Sequence, residues 1–146
     1  MLVESLLPAA RERLVTIANN ASLVEVAKLL RAGTDIVVVC DSEGLLTGVI
    51  TKTDVVAQIS QCQGASCSIA ASSAMTHDVV LCQPGDLLED VWARMKDRSL
   101  KNVPLVDQDS HPVGVLNARD MLQALLKESV NEEAMMRDYV MGIGYR

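Results

Sequence analysis

With 146 residues, 49% of them apolar and 22% charged, the chain is long enough for one compact domain or for two small repeats around a shared core, and too apolar for disorder. A formal net charge of −6 argues against the broad basic face that nucleic-acid binding requires, and no apolar run approaches the roughly 20 residues of a membrane helix. Aromatic residues make up only 2%, so the core must be built from Val, Leu, Ile, Ala and Met. The N-terminus does not read as a signal peptide, and a cytoplasmic location is expected.

In chain order, Met1 to Arg13 reads as a lead-in turn or helix around Pro8, and Leu14 to Ile17 as a short strand. Asn19-Asn20-Ala21-Ser22 offers turn and cap chemistry, and Ser22 to Glu25 has the spacing of a capping box. Leu23, Val26, Ala27, Leu29 and Leu30 then share one helical face, with Gly33 placed to end the helix. Ile36 to Cys40 is a continuous β-branched run, the pattern of a strand buried on both faces. After the turn Asp41-Ser42-Glu43-Gly44, Leu45 to Ile50 gives a second strand, and Thr51 to Asp54 opens a helix carrying Val55, Val56 and Ile59.

Ser60 to Ser73 lacks an apolar period and reads as a partly mobile connector. The plan then recurs. Val79-Val80-Leu81 repeats the first strand, Pro84-Gly85-Asp86 the turn, Leu87 to Met95 the helix and Val103 to Val106 the buried strand. Asp107 to Ser110 is the second hairpin turn, Val113 to Leu116 the following strand and Ala118 to Leu126 the closing helix. The spacing divides the chain into a first repeat with its lead-in over residues 1–60, a connector over 61–74, a second repeat over 75–127 and a C-terminal helix or tail over 128–146. In that tail, Met135, Met136, Val140 and Met141 suit packing or a partner surface, with Gly142 and Gly144 as helix stops.

Chemistry concentrates where each repeat ends. Gly48-Val49-Ile50-Thr51-Lys52-Thr53-Asp54 and Gly114-Val115-Leu116-Asn117-Ala118-Arg119-Asp120 share a glycine, an apolar strand end, a polar residue and an acid at the start of a helix. Thr51-x-x-Asp54 is also a capping box and Asn117 a good N-cap, so helix capping is one reading of both sites. An acid in a first helical turn can equally accept hydrogen bonds from a ribose diol, and the adjacent helix start favours an anion. No nucleophile elbow, phosphate-cradling Gly-rich loop or paired acids with a nearby base occur, so a binding module is expected rather than an enzyme. His111, before Pro112 in a polar turn, is expected in solvent. Cys62, Cys67, His77 and Cys82 match no zinc spacing, and Cys40 and Cys82 suit buried free thiols, so no metal is expected.

The doubled strand-helix-strand-strand-helix plan with its terminal Gly-h-h-Thr-x-x-Asp resembles the tandem cystathionine-β-synthase (CBS) domain pair, or Bateman module, over about residues 14–126. Repeat two departs in having Asn117 for Thr, and repeat one in having Val38 where the second has Pro104. The resemblance implies an α/β (α+β) fold in which two β-α-β-β-α repeats pack by pseudo-twofold symmetry through their sheets. It implies two clefts for adenine nucleotides or adenosyl compounds (AMP, ADP or ATP) as regulatory ligands, with no cofactor required. Carried over, one cleft joins Thr51 and Asp54 to His77, Val79, Asn102, Val103 and Pro104; the other joins Asn117 and Asp120 to Arg13, Val15, Ile36 and Val37.

A homodimer through the helices after Asp54 and Asp120 is also implied, with an unidentified protein effector as a further partner. A structural or dimerisation module with vestigial clefts is the alternative. The clefts are expected to differ in charge, with Lys101, Arg98 and His77 near Asp54, and with Asp35, offset by Arg13 and Arg119, near Asp120.

Overall fold

The computed structural model describes residues 1–61 and 69–129. A 3-10 turn over Val3–Leu6 leads into α1 (Leu7–Arg13). The first repeat follows as β1 (Thr16–Ala18), α2 (Leu23–Leu29), β2 (Ile36–Cys40), β3 (Leu46–Thr51) and α3 (Lys52–Gln61). After α4 (Ala71–Ala74), the second repeat comprises α5 (Leu88–Asp97), β4 (Asn102–Val106), β5 (Pro112–Asn117) and α6, helical over 118–129. The expected tail helix reaching as far as Val140 lies outside the described residues from position 130 on, as do Cys62 and Cys67.

Local chemistry sets these elements. The Ser22 hydroxyl caps α2 by accepting from the Glu25 N–H at 3.3 Å. That helix ends at Leu29, earlier than Gly33 suggested, and Gly33 instead makes the left-handed step (φ +90°) toward β2. The two hairpin turns are built alike, the Asp41 carboxylate accepting from the N–H groups of Glu43 and Leu45 and the Asp107 carboxylate from those of Asp109 and His111. Gly44 takes φ +82° in the first turn, and Ser110 takes φ +67° at the matching place in the second. His111 is only half exposed, because its ring folds back to within 3.6 Å of the Asp107 carboxylate.

In repeat one, β1 runs parallel to β2 and β3 antiparallel to it. In repeat two, β4 and β5 pair alone, and the strand expected at Val79-Val80-Leu81 shrinks to a single parallel bridge between Cys82 and Leu105. Cys82 there donates its N–H to the Pro104 carbonyl and accepts from the Val106 N–H. Pro104 has no N–H of its own, so it adds no donor toward a longer neighbouring strand.

Among the described residues, three apolar clusters form the packing. Leu23, Val26, Val39, Ile50 and Val55 form the core of repeat one, and Leu88, Val91, Met95, Val103, Leu105, Leu116 and Met121 that of repeat two. Ile36, Val38 and Val49 of the first sheet meet Val115 of the second, so the repeats face each other through their sheets. Every residue of β2 is buried, the inner face against repeat two and the outer against α2 and α3, as its unbroken apolar run requires.

Each repeat is also covered by the segment that precedes the other. Residues 1–10 lie on repeat two, where the Val3 and Glu4 N–H groups donate to the carbonyls of Asp86 and Pro84 while the Met1 carbonyl accepts from the Leu88 N–H. Residues 69–76 do the same for repeat one, with Ala71 and Ser72 donating to Ala21 and Asn19 and the Ile69 carbonyl accepting from Leu23. Two glycines permit the close crossing. A Cβ on Gly114 would stand 2.8 Å from the Ala10 Cβ, and one on Gly48 would stand 2.7 Å from the Thr76 carbonyl oxygen. This exchange carries Arg13 and Thr76 to the two Asp-bearing helix starts.

Candidate functional site

The β3–α3 junction places Thr51 and Asp54 on the wall of a cleft of about 540 Å³. Thr51 is the last residue of β3, and its hydroxyl accepts from the Asp54 N–H at 3.4 Å. One Asp54 carboxylate oxygen accepts from the Thr51 N–H at 2.9 Å and hydroxyl at 3.2 Å, closing a capping box. The other accepts from the Thr76 hydroxyl at 3.1 Å. Among the described residues Asp54 has no ion-pair partner, so a half-buried carboxylate is held by neutral donors alone.

Across the cleft stand Val79, Val80, Asn102 and Pro104, with Asp35 and Ile36 extending the wall. Thr51, Asp54, Val79, Asn102 and Pro104, which the family resemblance implied for one cleft, thus line the same cleft. His77 is exposed and is not among the lining residues. Val103 is fully buried in the core of repeat two, because side chains alternate along β4 and only Asn102 and Pro104 face the cleft. Val37 is fully buried by the same alternation on β2, while Ile36, expected beside Asp120, lines the Asp54 cleft.

The charges also differ from expectation. Asp35 lies on the same cleft as Lys101 and pairs with Lys52 at 3.6 Å, so Lys101 and Asp35 do not distinguish the two clefts. Arg98 pairs with Asp78 at 3.0 Å. Lys101 lines the cleft without an ion-pair partner among the described residues, which leaves it the uncommitted cation there.

Asp120 is held differently. Arg13, at the end of α1, donates from Nε to one carboxylate oxygen at 2.7 Å and from a terminal nitrogen to the other at 3.2 Å. This fork raises the Arg13 pKa, the hydrogen bond to Asp120 outweighing the opposing effect of burial. Asn117 caps α6 by accepting from the Arg119 N–H at 2.9 Å, and its amide donates to the Asn102 side-chain oxygen at 3.1 Å. Val15 is half-buried and its carbonyl accepts from the Val38 N–H, a sheet contact.

Sequence spacing did not single out Thr76, which precedes the second repeat by several residues. The signal that could have found it is Gly48, since a bare glycine in an otherwise β-branched strand marks a close backbone approach, here by residue 76.

The model of the CBS domain matches residues 3–61 and 71–127. Among curated proteins, the chain is 30% identical over 112 residues to a homoserine O-acetyltransferase of Methanococcoides burtonii, a stretch covering 75% of this chain and 22% of that protein. The chain therefore spans about a fifth of that relative's length. Among solved structures, a CBS-domain-containing protein of Agrobacterium tumefaciens superposes with a TM-score of 0.72 at 28% identity, covering 85% of this chain and 98% of that one. CBSX2 in complex with AMP superposes with a TM-score of 0.74 at 21% identity, covering 88% and 98%.

Proposed function

Because this chain belongs to the CBS-domain family and folds as a pair of CBS repeats, we propose that it is a regulatory module that binds an adenine nucleotide or related adenosyl compound in the Asp54 cleft. The observation that carries this reading is the half-buried Asp54 carboxylate at the start of α3, on the wall of a cleft that also holds Lys101. A carboxylate accepts from the vicinal hydroxyls of a ribose, and its spare lone pairs let it do so while still capping α3. Ile36, Val79, Val80 and Pro104 offer the apolar walls that a base needs, and Lys101 offers a positive charge to a phosphate. The AMP held by CBSX2, a pair of the same fold, supports the ligand class.

In this reading the module is cytoplasmic, acts by binding rather than catalysis, and reports occupancy to a protein effector by favouring one of two states. It pairs as a homodimer through α3 and α6, whose Val56, Ile59, Leu122 and Leu126 are exposed while Val55 and Met121 are spent in the cores. Light scattering should return about twice the mass of a single chain for such a symmetric pair, and a strict monomer would contradict it. The alternative, a structural module, is favoured by one observation: Asp54 and Asp120 both already have in-chain partners.

A thermal-shift series separates the two readings. A ligand at about 100 times its dissociation constant adds roughly 2.7 kcal/mol, and each kcal/mol moves the midpoint by about 2 to 4 °C for a chain near this size. AMP, ADP or ATP should therefore raise the melting temperature by several degrees. No shift with any of them would favour the structural module.

A further inference from the structure

The two helix starts that share a motif differ in what already occupies their acid. Asp54 accepts from neutral donors, one of them the exposed Thr76 hydroxyl. Asp120 accepts both prongs of a guanidinium, one on each oxygen. A planar fork presents two parallel donors to the two oxygens of a carboxylate, which is also what a cis-diol would present. The other polar group of the second motif is engaged too, since the Asn117 side chain serves both the Arg119 N–H and the Asn102 side chain.

We propose that Arg13 occupies the diol-binding position of the second motif, so that the chain takes its nucleotide in the Asp54 cleft and keeps a latent site at Asp120 that opens when the Arg13–Asp120 fork is broken. This rests on the nucleotide reading above and adds to it the inequality of the two sites and its cause.

The asymmetry traces to one position just after each exchanged segment. Leu14 and Val79 both pack against the contact between the sheets, and of the residues before them Arg13 meets Asp120 while Asp78 lines the Asp54 cleft. Asp78 cannot pair with a carboxylate and turns to Arg98. Opposite charges at the matched position therefore lock one acid and leave the other to neutral partners. The pair is only partly shielded, with the Arg13 side chain 38% and the Asp120 side chain 24% exposed, so the lock is one that a single substitution can release.

Calorimetric titration of the full chain with AMP, and separately with adenosine, tests this. The wild type should take a single AMP per chain. Arg13→Gln should gain a second binding event, and adding Asp120→Ala to it should remove that event again. Arg13→Lys keeps the charge but not the fork, and should also gain a second event; it serves as the check if Arg13→Gln lowers the melting temperature. A wild type that already takes a second AMP, or a failure of both Arg13 variants to gain one while the first site still binds, would overturn the proposal and leave the nucleotide reading standing. No binding by the wild type and both Arg13 variants would overturn that reading and this inference together.

Discussion

Thr51 and Asp54 cap each other: the threonine hydroxyl accepts from the Asp54 N–H at 3.4 Å, and the Asp54 carboxylate accepts from the Thr51 N–H at 2.9 Å. The same carboxylate that faces the cleft thus fixes the start of α3, and stability and binding share a residue. Replacing an N-cap threonine by alanine costs about 0.5 to 2 kcal/mol. Thr51→Ala should lower the melting temperature by roughly 2 to 4 °C per kcal/mol lost, whereas Thr51→Ser, which keeps the hydroxyl, should melt close to wild type. Equal midpoints for wild type and Thr51→Ala would show that the cap contributes nothing.

Lys101 should matter to the phosphate more than to the nucleoside. A like or opposite charge about 4 Å from an anion is worth roughly 1 kcal/mol in water, or somewhat under tenfold in affinity. Lys101→Ala should weaken AMP binding by about that factor and adenosine binding much less. Parallel losses for both ligands would place Lys101 in the packing of the cleft and not in anion recognition.

Cys82 gives a pH signature of the core. Burial is the main cause that pushes its thiol up from the ordinary value of 9.0 to about 12, assisted by the negative charge of Asp86. Because the folded state holds the proton more tightly, the associated stability is complete below about pH 9 and is lost as the pH rises toward about 12. Melting temperatures should fall across that alkaline window, and less steeply for Cys82→Ala. Peptide mapping after iodoacetamide treatment at pH 8 should find Cys82 labelled far more slowly in the native protein than in urea; equal rates would contradict a buried, neutral thiol.

Much of the fold was legible because each repeat writes its hairpin in the same chemistry. Asp41 and Asp107 build the turns, and the apolar runs at β2 and β4 announce buried strands. The exchange of covering segments was not legible, because nothing in residues 1–10 or 69–76 says which of two similar cores they will join. Asp54 was legible as an acid at a helix start that the structure places on a cleft, and the walls of that cleft were less so. Naming consecutive residues such as Asn102, Val103 and Pro104 ignored the alternation that sends Val103 into the core. The charge contrast was sought at Lys101 and Asp35, which share one cleft, and it lies instead at Arg13 and Asp78.

The central claim, that the Asp54 cleft is a nucleotide site, is tested most directly by titrating AMP calorimetrically into the wild type and into Asp54→Asn. Asparagine keeps an acceptor for the Thr51 N–H but loses the charge and one of the two carboxylate oxygens, so the fold should survive while a diol loses half of its acceptor pair. The account predicts saturable AMP binding by the wild type and a loss of at least about tenfold in Asp54→Asn, since hydrogen bonds to a charged group are worth roughly 1.5 to 3 kcal/mol. Equal affinities in the two proteins, or no binding of AMP, ADP, ATP, NAD or S-adenosylmethionine by the wild type, would contradict it.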